Sequence, residues 1–412
     1  MSESLFFAEQ LAQFRQAHPQ DAGWTVCEVP PSAGLQSYSL PDFLPQAKSA
    51  TAVKMSLTQN LSRDKVKAWR DDSARGVLKE EGWIGDIEFL WEGSPIHARR
   101  TRCCTEWFRD ISVVFLAFRS RPVVESLFGE LRDFMRRKMQ EDAVIQVIGG
   151  PDVMRPRLTW DDLCLPNGMA EDIRSASETF FRSEERYRRF GLAYRRGFLF
   201  SGPPGCGKTQ AAKVIASTIQ EAACIAYTAQ GGEHEPERIQ EAFAIAGNLA
   251  PAILILEDLD KLGDKVPISL VLNLLDGLES MRGVLVIAST NEPERLEPAL
   301  LLRPSRFDRV WPFPLPEQEQ RRVFLAKRTK GAFSDQALDE VARLSQGFSM
   351  AYVQEILASA VAYSIRDDRE PTEQDLFEAV DVLRKQIRGA RTAMPRVGHS
   401  NDGLGFRVPA EA

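Results

Sequence analysis

Histidine is scarce in this 412-residue chain: four residues, His18, His97, His234 and His399, lie far apart. That excludes a histidine-centred metal site as the organising chemistry. The six cysteines (Cys27, Cys103, Cys104, Cys164, Cys206, Cys224) show no zinc-ligand spacing. Only the vicinal Cys103-Cys104 pair stands out, as buried small apolar residues or as a redox pair. Long apolar runs are missing too. The longest, Val113 to Phe118, falls far short of the roughly 20 residues that span a bilayer. The N-terminus lacks the charged-then-apolar layout of a secretory leader, so a cytoplasmic, reducing setting is expected. No internal repeat is visible. A net charge of −6 argues against a general nucleic-acid or anionic-membrane binder, leaving room only for a local basic patch. What remains is 43% hydrophobic and 27% charged, an ordinary globular composition, long enough for two or three domains.

The strongest signal is one loop, Gly202-Pro203-Pro204-Gly205-Cys206-Gly207-Lys208-Thr209. It fits G-x-x-x-x-G-K-[ST]. Phe198-Leu199-Phe200 reads as a strand entering it. Gln210 to Gln220 reads as a helix leaving it, with Ala212, Ile215 and Ile219 on one face. Glycines allow a tight turn that points several N–H groups at one anion, and the helix N-terminus adds partial positive charge there. Lys208 can reach terminal phosphates, and the Thr209 hydroxyl can ligate Mg²⁺.

Two further strands follow. Ile253 to Leu256 is a run of apolar residues ending in Glu257-Asp258-Leu259-Asp260. Carboxylates at the C-terminal tip of a parallel strand sit where ligands bind. One can hold Mg²⁺ and its neighbour can deprotonate an attacking water. Val284 to Thr290 ends in Asn291, whose amide can bond that water or the γ-phosphate; an Asn there is also a common turn former. Arg303 and Arg306, three apart, can present planar guanidinium donors to a phosphate.

These motifs, in this order and spacing, resemble the narrow AAA clade of the AAA+ ATPases, over about Thr159 to Ile387. The resemblance implies an α/β fold: a P-loop NTPase module, with a parallel sheet between helices, and a C-terminal helical lid. It implies ATP and Mg²⁺ as cofactors, and a homo-oligomeric ring, hexameric or heptameric, with ATP between neighbours. By position it implies Lys208 and Thr209 on phosphate and metal, Glu257 near the metal, Asp258 as water-activating carboxylate and Asn291 as sensor. Arg303 and Arg306 are implied to reach the neighbouring subunit's ATP. The lid helices are expected at Glu317–Arg328, Ser334–Gln346, Ser349–Arg366 and Thr372–Ile387, with Ser349 as an N-cap. Two departures stand out. The tip reads Glu257-Asp258 where most members have Asp-Glu. That swap, with Leu272-Asn273-Leu274-Leu275-Asp276-Gly277-Leu278, resembles the branch of the mitochondrial translocase for the Rieske subunit of respiratory complex III, here without a transmembrane segment. Secondly, threading members carry an aromatic-hydrophobic-Gly tripeptide after the module's second strand; between Tyr227 and Ile239 this chain has no aromatic residue.

Domains are therefore expected at 1–155, 156–316, 317–388 and 389–412. The first is a separate α+β domain that binds a protein client. It holds an opening helix around Leu5 to Phe14, a hairpin turning at Glu92-Gly93-Ser94-Pro95, a strand at Ile111 to Phe118, a helix at Pro122 to Met139 and a strand at Val144 to Ile148. Arg132 and Arg136-Arg137-Lys138 read as a phosphate or acidic-partner patch, or as a basic last turn complementing the helix dipole. Nucleic acid is not the expected partner. The last stretch, poor in large apolar residues, reads as a disordered tail.

Overall fold

The computed structural model describes residues 3–29, 40–61, 82–104, 110–148, 152–228, 235–262, 266–277, 282–295 and 306–393. The chain divides into two compact units, Met1–Asp142 and Ala143–Ala412.

The first unit holds α1 (Glu3–Ala17), β1 (Thr25–Val29), the single turn α2 (Leu40–Phe43), β2 (Ala50–Leu61), β3 (Gly82–Trp91), β4 (Ser94–Cys104), β5 (Asp110–Phe118) and α3 (Arg121–Glu141). Its antiparallel sheet runs β1-β5-β4-β3-β2. The expected hairpin is β3–β4, turning at Glu92 and Gly93 with φ of 49° and 77°; positive φ at both central residues is the twist-matched hairpin turn. Alternation decides the faces. Val113, Phe115 and Ala117 of β5 meet Phe14 of α1. On the opposite face Trp91 packs beside Phe43, which also meets Phe134 of α3. β2 has no counterpart in the sequence reading, because its mixed residues carry no clean period. The α3 basic residues are partly spent locally: Arg136 pairs with Asp133 and Lys138 with Glu141.

The second unit contains, in order, β6 (Val144–Val147), β7 (Val153–Met154), α4 (Met169–Phe181), α5 (Glu184–Arg189), β8 (Arg195–Ser201), α6 (Lys208–Thr218), β9 (Ala223–Thr228), α7 (Glu235–Asn248), β10 (Ala252–Glu257), α8 (Ile268–Gly277), β11 (Val284–Thr290) and β12 (Arg309–Pro312). Its sheet order is β12-β8-β11-β10-β9-β6-β7. Every pair is parallel except β6–β7. Near-continuous apolar strands buried on both faces are what a parallel sheet demands; β10 and β11 are buried almost throughout.

The strand expected at Val144 to Ile148 forms over Val144–Val147, but with a different partner. The sequence pattern groups it with residues 1–155; β6 instead extends the parallel sheet beside β9, and Ile148 N donates to Ala226 O at 2.9 Å. Backbone pairing to β9 sets that place, and a buried guanidinium secures it. Arg155 donates to the carbonyls of Val144, Ala216, Ile219 and Ala222, stitching the β6–β7 ribbon to the carbonyl-rich end of α6, where a cation is favourable. The same residues thus close one sheet edge and cap one helix.

Four helices follow: α9 (Gln318–Thr329), α10 (Asp335–Leu344), α11 (Met350–Arg366) and α12 (Glu373–Ala393). Their core gathers Phe324, Leu325, Leu338, Val341, Ile356, Leu376 and Val380. Ser334 caps α10 through its side chain, accepting from Ala337 N at 3.2 Å. Ser349 occupies the N-cap position of α11 without a side-chain cap bond, after Gly347 at φ 82°. No helix among the described residues is long and apolar enough to cross a membrane.

Candidate active site

The loop 202–207 runs from the tip of β8 to the N-terminus of α6, with Gly202, Gly205 and Gly207 at φ 140°, 75° and 98°. Two of these also lack room. A Cβ on Gly202 would lie 2.2 Å from Phe313 O, and one on Gly205 2.7 Å from Ser349 Oγ and 2.8 Å from Ala351 Cβ. The four-helix bundle therefore rests on the loop itself, and Ala351 N donates to Gly205 O at 3.1 Å. A sequence pattern explains these glycines by the phosphate they cradle; the structure adds a steric demand from two other parts of the unit.

A cleft of about 610 Å³ opens here, lined among others by Pro204, Gly205, Lys208, Thr209, Asp258 and Asn291, a size suited to a nucleotide-sized ligand. Leu158, Phe324 and Met350 add apolar wall to the same cleft. Lys208 is 6% exposed. Burial, foremost, holds its ammonium below the ordinary lysine value, with Cys206, Asp258 and Asp260 pulling the other way. Its Nζ donates to the carbonyls of Gly202 and Pro203 at 2.5 and 2.8 Å. Cys206, between these loop residues, packs into the core instead of lining the cleft, and burial pushes its thiol up to about 11 against the nearby Lys208 charge.

At the strand tips, Asn291 Nδ2 donates to Asp258 Oδ1 at 2.9 Å. Lys261 Nζ donates to Asp258 Oδ2 at 2.6 Å. Asp260 Oδ1 accepts from Thr290 Oγ1 and Asn291 N, both at 2.8 Å. Asp260 thus fastens β11 to the turn after β10 and sets where Asn291 points, a role the sequence pattern did not reveal. Asp258 and Thr209 line the cleft, whereas Glu257, the last residue of β10, is not among its lining residues. Oxygen donors of this kind, a hydroxyl and carboxylates, suit Mg²⁺. Among the described residues no group of three or more His, Cys, Asp or Glu is placed to hold a metal by itself.

The two arginines differ. Arg303 lies outside the described residues, as do Gly231, Gly232 and His234 of the loop after β9. Arg306 is 4% exposed. Its guanidinium forks onto Asp276 of α8, Nε to Oδ1 at 3.1 Å and Nη2 to Oδ2 at 2.9 Å. That fork, first of all, holds Arg306 above the usual arginine value. The resemblance implies an arginine reaching outward to a neighbour; in the structure it braces its own subunit. Two residues on, Asp308 accepts from Gly197 N at 2.8 Å and from Arg196 Nη1 at 3.0 Å. A Cβ at Gly197 would sit 2.1 Å from Arg306 O. Gly197 and Asp308 are site-supporting residues that sequence reasoning missed, because their partners lie about a hundred positions away.

Residues 198–315 match the family model described as ATPase family associated with various cellular activities (AAA). An ATP-dependent zinc metalloprotease FtsH of Acidothermus cellulolyticus is 34% identical over 272 residues, 60% of this chain and 40% of that protein. The proteasome-activating nucleotidase of Thermococcus kodakarensis is 31% identical over 257 residues, 57% of this chain and 64% of that protein. FtsH 3 of Sphaerobacter thermophilus is 34% identical over 269 residues, 59% of this chain and 53% of its own length. The chain therefore spans less than two thirds of the length of these relatives. Loop, strand tips and family match converge on one stretch: residues 198–315 form an AAA-family ATPase domain.

Proposed function

We propose that the chain hydrolyses ATP to ADP and phosphate in this cleft and spends the cycle on remodelling or moving a protein client held by its N-terminal unit. One observation carries the reading: Lys208, Thr209, Asp258 and Asn291, drawn from a loop and two strand tips, line a single cleft. Lys208 and the loop N–H groups would bind the phosphates, and Thr209 with Glu257 would hold Mg²⁺, for which Glu257 must turn into the cleft that Thr209 lines. The metal, when bound, neutralises charge on the phosphates. Asp258 takes the proton of the attacking water, and Asn291 orients that water against it. The ring, hexameric or heptameric, the guanidinium of Arg303 supplied to the next subunit, the cytoplasmic setting and the kinship with the Rieske-protein translocase branch belong to the same proposal. For Arg306 to join Arg303 there, it must first leave Asp276.

The deciding test is Asp258→Asn. It is expected to keep ATP bound with turnover reduced at least about a hundredfold, the scale of losing a general base. Undiminished hydrolysis would place the base elsewhere, with Glu257 the next suspect. A second reading, an ATP-gated assembly scaffold with slow hydrolysis, is favoured by the missing aromatic residue between Tyr227 and Ile239. Partner-stimulated turnover separates the motor from the scaffold. Nucleic-acid remodelling is the least supported reading, since part of the α3 basic cluster is paired within its own helix.

A further inference from the structure

The carboxylate proposed as the base is held from two sides. Asp258 sits in the left-handed region at φ 55° and opens a tight turn whose Lys261 N donates back to Asp258 O at 2.9 Å. That turn returns the Lys261 side chain over the residue that starts it. Oδ2 then accepts the Lys261 ammonium at 2.6 Å, while Oδ1 accepts the Asn291 amide at 2.9 Å. Among the described residues no other cation is bonded to the Asp258 carboxylate. Lys208, the nearest basic group of the loop, donates to the carbonyls of Gly202 and Pro203. Asp260 and Glu257 also attract the Lys261 ammonium, but its hydrogen bond goes to Asp258, while Asp260 Oδ1 accepts from Thr290 and Asn291. The hydrogen bond to Asp258 is the leading cause that lifts Lys261 above the usual lysine value.

With Oδ2 engaged by the ammonium and Oδ1 by the amide, neither carboxylate oxygen is turned to take a hydrogen bond from a water. Rotation that frees Oδ2 for a water must first break the pair. Aspartate, one methylene shorter than glutamate, has less freedom to serve both partners at once.

We propose that Lys261 is a positioning residue: it latches the Asp258 carboxylate through Oδ2 and holds basal ATP hydrolysis below what the site can deliver. The latch rests on the reading of Asp258 as the base. The side chains are 60% exposed for Lys261 and 25% for Asp258, so the contact is one that solvent can open. An exposed ion pair of this kind shifts an equilibrium by no more than about fivefold, which sets the expected effect.

The test uses the full chain with ATP and Mg²⁺, measuring kcat and KM for the parent, Lys261→Met, Lys261→Gln, Lys261→Arg and Asp258→Asn. Binding of a fluorescent ADP analogue serves as the check on folding. Lys261→Met and Lys261→Gln are expected to raise kcat about two- to fivefold with KM unchanged, and Lys261→Arg to stay at the parent rate. If the neutral variants bind the analogue normally and their kcat is unchanged or lower, the latch is overturned. If Asp258→Asn turns over like the parent, the base assignment falls and takes the latch with it. An inactive Asp258→Asn beside unaltered Lys261 variants removes the latch alone.

Discussion

Lys208 is buried, cationic and bonded to two carbonyls of its own loop, so its charge is positioned before any phosphate arrives. Losing a charge-assisted bond of this type costs about 1.5–3 kcal/mol. Lys208→Ala should therefore weaken ATP binding by about 10- to 100-fold by calorimetry; normal affinity would count against the phosphate site. Arg306 calls for a different test. A brace within one subunit predicts that Asp276→Asn and Arg306→Ala both lower the melting temperature, by about 1–3 kcal/mol of stability, because each breaks the same fork. An arginine acting only on a neighbour predicts normal stability for both variants, and activity restored by mixing Arg306→Ala subunits with Asp258→Asn subunits. The place of Lys208 in the cleft was legible in the sequence because the loop pattern fixes that residue at that spacing. The Arg306 brace was not, since its acid lies thirty positions upstream on another element and many acids stand closer in sequence.

At the scale of elements, α1 is fastened to its sheet by a polar relay as well as by Phe14. His18 Nδ1 donates to Phe14 O at 2.8 Å, so the neutral ring accepts at Nε2, which faces His97 Nδ1 at 2.9 Å. His97 in turn meets Asp86, which Arg99 also grips. Burial, above all, holds His18 below its usual value of 6.5; the Phe14 carbonyl opposes this, His97 and Arg99 add to it, and Glu88 opposes it again. In the window between the lowered folded value and 6.5 the unfolded chain binds more protons, so stability falls as pH drops through that window and levels out below it. Melting of the N-terminal unit is expected to come earlier at about pH 5 than at about pH 7, and His18→Gln should flatten that slope. A pH-independent melting curve for the parent would show that the relay does not hold α1. Sequence reading found the α1 helix and the β4 strand from their periods. It passed over His18 and His97 as scattered, because 79 residues separate two rings that the sheet brings into contact. The β6 strand teaches a related lesson: its apolar residues announced a strand, but only hydrogen bonding to β9 decided which sheet it joined.

For the whole molecule the strongest expectation is assembly. With Mg²⁺ and a slowly cleaved ATP analogue, the full chain should sediment as a hexamer or heptamer. A monomer at high concentration under those conditions would remove any role for a neighbour's arginine. Capture with Asp258→Asn in ATP should then hold the ring on its client, and imaging the same sample would count subunits.

The sequence by itself determined the motif pattern, because a glycine-rich loop ending in Lys-Thr, an acidic strand tip and a polar amide are local signals written within a few residues each. It also determined the parallel sheet and the four-helix bundle, since their apolar periods are local too. Tertiary structure alone decided that Arg306 faces Asp276, that Asp258 is gripped by Asn291, and that Arg155 sews β6 into the sheet. These are choices of partner among many compatible groups. Such a choice is made by which backbones approach, and no spacing along the chain records that.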